Sequence, residues 1–127
     1  MKIEMVPVAS LKHIEGFSIK RVQWLTSKIT DEGIWNKPIA LDDMHCLVLD
    51  GQHRMEVAKV LELKRIPAVR FSYATLQVWS LRPEKYEFTW EEVVKRALQG
   101  DTYPYKTVKH EFPKPFPLCR FDLGDLY

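Results

Sequence analysis

The sequence lacks the residue patterns that build disulfide-rich or metal-bound proteins. It has two cysteines, far apart and in no CxxC pair, and four histidines without the HExxH spacing of zinc sites. No apolar run approaches the ~20 residues needed to cross a bilayer, and the first residues do not form a signal peptide. These absences predict two buried thiols, no structural metal, no membrane partner and a cytoplasmic location.

A strong excess of one charge is also missing. Nineteen lysines and arginines against seventeen acidic residues give a formal net charge of +2. Proteins that depend on nucleic acid usually carry a clear basic excess, because they must neutralise a row of phosphates. The charge balance therefore argues against nucleic acid as the main partner.

The residues that are present suffice for one folded unit. The chain has 127 residues, of which 46% are hydrophobic and 12% aromatic, and it contains no internal repeat or linker. A chain of this length buries enough surface for a core of its own. We expect a single domain over residues 1–127, with a core at about 3–100 and a tail at about 101–127 that packs over it.

Local patterns alternate between strands and helices and predict an α+β domain with a mixed β-sheet flanked by helices. Ser18 can cap a helix that ends at Gly33, and Thr89 with Glu92 forms a capping box for another helix. A third helix follows Arg54. The predicted strands are 3–8, with Pro7 at a sheet edge, then 38–41 and 46–49 as a hairpin, 66–73 and 76–79.

The most informative local feature is the corner Asp50-Gly51-Gln52-His53-Arg54, where a strand feeds a helix through a glycine. The first amides of a helix have no partner inside it and attract anions such as phosphate. Basic side chains at a helix start oppose the helix dipole unless an anion is bound there. A plain tight turn is the alternative, while the Walker pattern GxxxxGK[ST] and the dinucleotide pattern GxGxxG are both absent.

The same corner, followed by a helix and by Leu63-Lys64-Arg65-Ile66-Pro67-Ala68-Val69, resembles the signature of the ParB/sulfiredoxin-fold superfamily. The resemblance covers about residues 6–71 and implies a ParB/sulfiredoxin-like fold in which the corner cradles nucleotide phosphates. Its branches include sulfiredoxins, DNA-partition CTPases and kinases of free serine. Gln52 stands where sulfiredoxins need a cysteine, and we expect no room after the tail for the DNA-reading domain of partition proteins.

Three further segments resemble the free serine kinase branch, in the order that it requires. They are Val6–Phe17, Gly33–Ile39 and Gly100–His110. In the last segment Val108 replaces a threonine and Lys109 replaces an arginine. Lysine can contact a carboxylate as a point charge but not as a bidentate fork.

This resemblance implies a small-molecule kinase that transfers a phosphoryl group from ATP or ADP to the hydroxyl of free L-serine or a similar amino acid, giving O-phosphoserine. Magnesium is the expected cofactor, because protein cations alone rarely handle the charge of a transferring phosphate. The expected catalytic residues are Glu15 as base and Asp50, which also binds the metal. The expected phosphate-binding residues are Gly51, Gln52, His53 and Arg54, and the expected substrate-binding residues are Lys37, Thr107, Lys109 and His110.

Two alternatives to a kinase are also compatible with the sequence. One is a non-catalytic, nucleotide-binding module of ParB-like type that regulates transcription or DNA organisation, and the weaker one is a nuclease. A nuclease would need a cluster of metal-binding carboxylates, for which only Glu15 and Asp50 are candidates. The four tryptophans are expected to be core or rim aromatics rather than platforms for a nucleobase.

Overall fold

Three helices and eight short strands occur along residues 1–127, all of which the computed structural model describes. The helices are α1 (Ile19–Glu32), α2 (Gln52–Val60) and α3 (Trp90–Leu98). The strands are β1 (Glu4–Pro7), β2 (Ile34–Trp35), β3 (Ile39–Asp42), β4 (Val48–Asp50), β5 (Arg65–Phe71), β6 (Gln77–Ser80), β7 (Val108–Glu111) and β8 (Phe121–Asp122).

The central sheet has four strands in the order β1-β5-β3-β4. Strand β3 runs parallel to β5 and antiparallel to β4, while β1 is antiparallel to β5 at one edge. The predicted mixed sheet and α+β class are confirmed. Pro7 lies in the edge strand β1, where its missing amide hydrogen costs no ladder bond.

The helix ends follow the sequence signals. The Ser18 hydroxyl accepts a hydrogen bond from the Arg21 amide, and Gly33 ends α1 in the left-handed conformation. The capping box of Thr89 and Glu92 is present at the start of α3. On α1, Val22, Leu25 and Ile29 are buried, whereas Ile19 in the first turn is exposed.

The predicted hairpin is formed by β3 and β4, and the Asp42 carboxylate organises the turn between them. It accepts hydrogen bonds from the amides of Met44, His45 and Leu47. Asp42 is buried, so these three bonds replace the water that its carboxylate loses on folding. The strand β4 that leaves this turn leads directly into α2.

The segment 101–127 packs over the body as loop and short strand. Strand β7 pairs with β6, and β8 pairs with β2, while Leu126 is buried in the core. Both cysteines are partly exposed rather than buried, which corrects the sequence prediction. Cys46 lies in the hairpin turn with a positive φ, and Cys119 lies in the proline-rich tail. None of the helices is long and apolar enough to span a bilayer.

Candidate functional site

A cleft of about 580 Å³ lies between helix α1, the Asp50–Arg54 corner and the segment 105–112. Its lining is strongly basic although the whole chain is nearly neutral. Six lysines and arginines line it against two carboxylates, those of Glu15 and Asp50. The six cations are Arg21, Lys28, Lys37, Arg54, Lys106 and Lys109. This concentration of positive charge suits a polyanionic ligand.

The cleft brings together nine of the ten residues singled out from the sequence. They are Glu15, Lys37, Asp50, Gly51, Gln52, His53, Arg54, Lys109 and His110. The tenth, Thr107, is fully buried behind the lining and its hydroxyl has no hydrogen-bond partner. Lys37 is exposed at the rim, where the buried Trp35 indole donates a hydrogen bond to its carbonyl.

Gly51 is the residue that allows strand β4 to turn into α2. Its φ of +117° lies in the region that favours glycine, and a Cβ atom there would come within 2.6 Å of Ile39 Cγ2. No side chain caps the helix start. The first amides of α2 are therefore left for a ligand in the cleft.

Arg54 lies in the first turn of α2, at the positive end of the helix dipole. It is half-buried, and its Nε is buried without a hydrogen-bond partner. Burial lowers the pKa of the Arg54 guanidinium, and the nearby Asp50 carboxylate offsets part of this effect. A desolvated cation in this position is compensated when an anion binds beside it.

Gln52 faces the interior rather than the ligand space. Its amide group donates to the Val48 carbonyl, and its Oε1 pairs with His13 Nδ1. The other ring nitrogen of His13 contacts Glu56 Oε2 at 2.7 Å. Only the backbone amide of Gln52 is therefore available to contact a phosphate. Its side chain connects the corner to the N-terminal segment through His13.

His53 links the two helices that border the cleft. Its Nε2 accepts a hydrogen bond from the Ser18 amide at 3.1 Å, just before α1 begins. Burial lowers the pKa of the His53 ring, with a further contribution from Arg21. Because Nε2 accepts this bond, Nδ1 is the ring nitrogen without a hydrogen-bond partner in the protein.

Glu15 lines the same cleft as the corner and is buried, with both carboxylate oxygens hydrogen-bonded. Oε2 accepts from the Lys106 amide and Oε1 from the Val108 amide, each at 3.0 Å. Burial raises the pKa of the Glu15 carboxyl above its ordinary value, and the amide bonds offset this only in part. A carboxylate with a raised pKa in a cleft has the properties of a general base.

His110 is held as a neutral core residue at the back of the cleft. The Tyr73 hydroxyl is bonded to its Nε2 at 2.7 Å, and burial lowers the pKa of His110 to about 4. It cannot supply a positive charge to a substrate carboxylate at neutral pH. In this segment the charge comes from Lys106 and Lys109, which are both exposed.

Sequence reasoning missed the contribution of α1 to the cleft. Arg21, Trp24 and Lys28 all line it and recur at the i, i+3, i+7 spacing of one helix face. The sequence did contain a signal for this role, namely a tryptophan on the polar side of an amphipathic helix. Arg82 was also missed; its guanidinium donates to the Tyr105 and Lys106 carbonyls and so fixes the 105–106 segment.

Asp50 gives the cleft a carboxylate for a magnesium ion that arrives with a ligand. The chain has no group of three or more His, Cys, Asp or Glu side chains able to hold a metal. Asp50 is exposed at the end of β4, beside the free amides of α2. One carboxylate with phosphate oxygens and waters is an ordinary magnesium environment. The residues present therefore fit an ion that arrives with a nucleotide.

Comparison with known proteins finds similarity at the level of structure only. No protein-family model and no curated protein sequence matches the chain. A variant of free serine kinase in complex with ADP superposes with a TM-score of 0.90 at 15% identity, covering 100% of this chain and 95% of that one. Free serine kinase with AMP gives 0.88 at 16% identity, over 98% and 93% of the two chains.

A third similar structure is SbnI with a C-terminal truncation, from Staphylococcus aureus. Its TM-score is 0.86 at 13% identity, covering 98% of this chain and 88% of that one. Identities this low establish the fold and leave the chemistry to be argued from the site. The chain has the α+β fold of the free serine kinase structures.

Proposed function

We propose that this chain is a nucleotide-dependent kinase that transfers a phosphoryl group from ATP or ADP to the hydroxyl of free L-serine or a similar small amino acid. The product would be O-phosphoserine. The observation that carries the proposal is the pairing of two features across one cleft. These are a glycine-initiated helix start with Arg54, whose Nε has no partner, and the desolvated carboxylate of Glu15 in the same cleft.

The donor side of the cleft is the Asp50–Arg54 corner. The free amides of α2 and the Arg54 guanidinium would hold the donor phosphates and oppose the negative charge that develops during transfer. Asp50 would hold magnesium, which supplies further neutralisation of the phosphate charge when bound. The structural neighbours support this assignment, because free serine kinase structures contain AMP or ADP.

The acceptor side is formed by Glu15 and the segment that it holds. Glu15 would take the proton from the substrate hydroxyl as the oxygen attacks the phosphorus atom. Lys109, with Lys37 at the rim, would contact the substrate carboxylate as point charges. Thr107 and His110 lie behind these side chains, so they would shape the pocket and exclude water rather than contact the substrate by charge.

Direct detection of product tests the proposal. The protein is incubated with magnesium, either ATP or ADP, and L-serine, L-threonine or L-homoserine in turn, and the phosphorylated amino acid is measured by mass spectrometry. We expect O-phosphoserine with at least one donor and none when the amino acid is omitted. If the protein binds nucleotide but yields no product across the panel, the kinase proposal is wrong and the non-catalytic nucleotide-binding module becomes the better explanation.

A further inference from the structure

Exposing a tryptophan side chain to water is energetically unfavourable, yet 58% of the surface of Trp24 is accessible to solvent. The core-facing residues of α1 are Val22, Leu25 and Ile29, so Trp24 has no part in anchoring the helix. Its ring instead lines the basic cleft together with Arg21 and Lys28. An aromatic face beside a phosphate-binding surface is the arrangement with which proteins hold nucleobases by stacking.

The position of Trp24 along α1 suits a base rather than a phosphate. The start of α1 touches the phosphate corner, since the Ser18 amide donates to His53 in the first turn of α2. Trp24 lies six residues further along, about 9 Å along the helix axis. A nucleotide whose phosphates lie on the first amides of α2 would extend its ribose and base along this side of the cleft.

The side chains beside Trp24 that could contact the edge of a base are cationic. Its polar neighbours on the same helix face are Arg21 and Lys28, and Lys28 is paired with Glu32 at 2.7 Å. The backbone groups of α1 at this point are used in the helix itself. No amide side chain of the kind that distinguishes adenine from guanine lines the cleft apart from Gln52, whose amide is bonded inward.

We infer that Trp24 holds the donor nucleobase by stacking. This inference rests on the proposed nucleotide-binding function and assigns the side chain that holds the base. It predicts that removing the Trp24 ring weakens the binding of adenosine and guanosine nucleotides alike, because every base presents a π-face.

Calorimetric titration of wild type, Trp24→Ala, Trp24→Phe and Trp79→Ala tests the inference. The probes are ADP, GDP and inorganic pyrophosphate, each with magnesium. Trp79 is the matched control, since it is also an exposed tryptophan but does not line the cleft. We expect Trp24→Ala to weaken ADP and GDP by roughly 5- to 100-fold and leave pyrophosphate within about 2-fold. Trp24→Phe should retain most of the affinity, and Trp79→Ala should match wild type.

The possible failures are distinguishable. Unchanged ADP binding by Trp24→Ala would overturn the stacking assignment while leaving the proposed kinase intact. Equal weakening of ADP and pyrophosphate would also overturn it, because α1 would then act only as a support. A wild type that binds neither nucleotide nor pyrophosphate would overturn the proposed function and the inference with it.

Discussion

The two walls of the cleft are built in different ways. The donor wall, residues 50–54, is one continuous stretch whose shape depends on the positive φ of Gly51 and the start of α2. The acceptor wall, residues 105–110, is held by contacts from distant parts of the chain. Glu15 binds the amides of Lys106 and Val108 across more than 90 positions, and Arg82 binds two of its carbonyls. The first wall is encoded locally, whereas the second exists only in the folded protein.

The largest expected effect is on the donor wall and comes from adding one methyl group at its turn. Gly51→Ala places a Cβ 2.6 Å from Ile39 Cγ2 in a backbone conformation that favours glycine. We expect it to lower the free energy of unfolding by about 2–4 kcal/mol and to abolish nucleotide binding. Urea denaturation and ADP titration measure the two effects.

Gly33→Ala is the matched control for this substitution. Gly33 also has a positive φ, of +68°, but nothing lies within 4 Å of an added Cβ. We expect a loss of about 1 kcal/mol from backbone strain alone, with ADP binding retained. Equal losses for the two variants would show that close packing against Ile39 does not define the corner.

His110, in the acceptor wall, should make the folded state sensitive to acid. The folded pKa of His110 is about 4 while its ordinary value is 6.5, so between these pH values the unfolded chain binds more protons than the native state. Stability from this residue is complete above pH 6.5 and is lost as pH falls towards 4. The loss approaches about 3 kcal/mol. Denaturation of wild type and His110→Gln across this range should show a flatter pH dependence in the variant.

His45→Gln is the control for the histidine experiment, since His45 lies in the hairpin turn and does not line the cleft. Its pH dependence should follow that of wild type. If His110→Gln keeps the full wild-type slope, then the bond from Tyr73 does not hold a neutral histidine at the back of the acceptor wall.

The smallest effect on stability is expected at Lys109, which is exposed on β7. Lys109→Ala should change the free energy of unfolding by less than about 0.5 kcal/mol. It should raise the KM for the amino acid by roughly 10-fold, because a charge-assisted contact with the carboxylate is lost. Steady-state kinetics measures this, with Lys109→Arg as the control that keeps the charge. A rise in the KM for the nucleotide donor instead would contradict the assignment of Lys109 to the acceptor wall.

The contrast between the walls also explains what could be predicted from the sequence. The Asp50–Arg54 corner, the cap at Ser18 and the capping box at Thr89 are local features, and sequence patterns located each of them. The inward turn of Gln52 and the burial of Thr107 could not be predicted, because they depend on His13 and Glu15, which approach from far along the chain. The role of α1 was missed since its three cleft residues are ordinary surface residues until the helix lies beside α2.

The variant Glu15→Gln tests the central claim most directly, because it should abolish phosphoryl transfer while leaving nucleotide binding intact. Glutamine keeps the size of the side chain and one acceptor oxygen but cannot take a proton from the substrate hydroxyl. The measurement compares O-phosphoserine formation with ADP affinity in the same preparation, with circular dichroism as a check on folding. We predict a fall in rate of at least about 100-fold with ADP affinity within about 3-fold of wild type. A near-normal rate in the folded variant would contradict the assignment of Glu15 as the base.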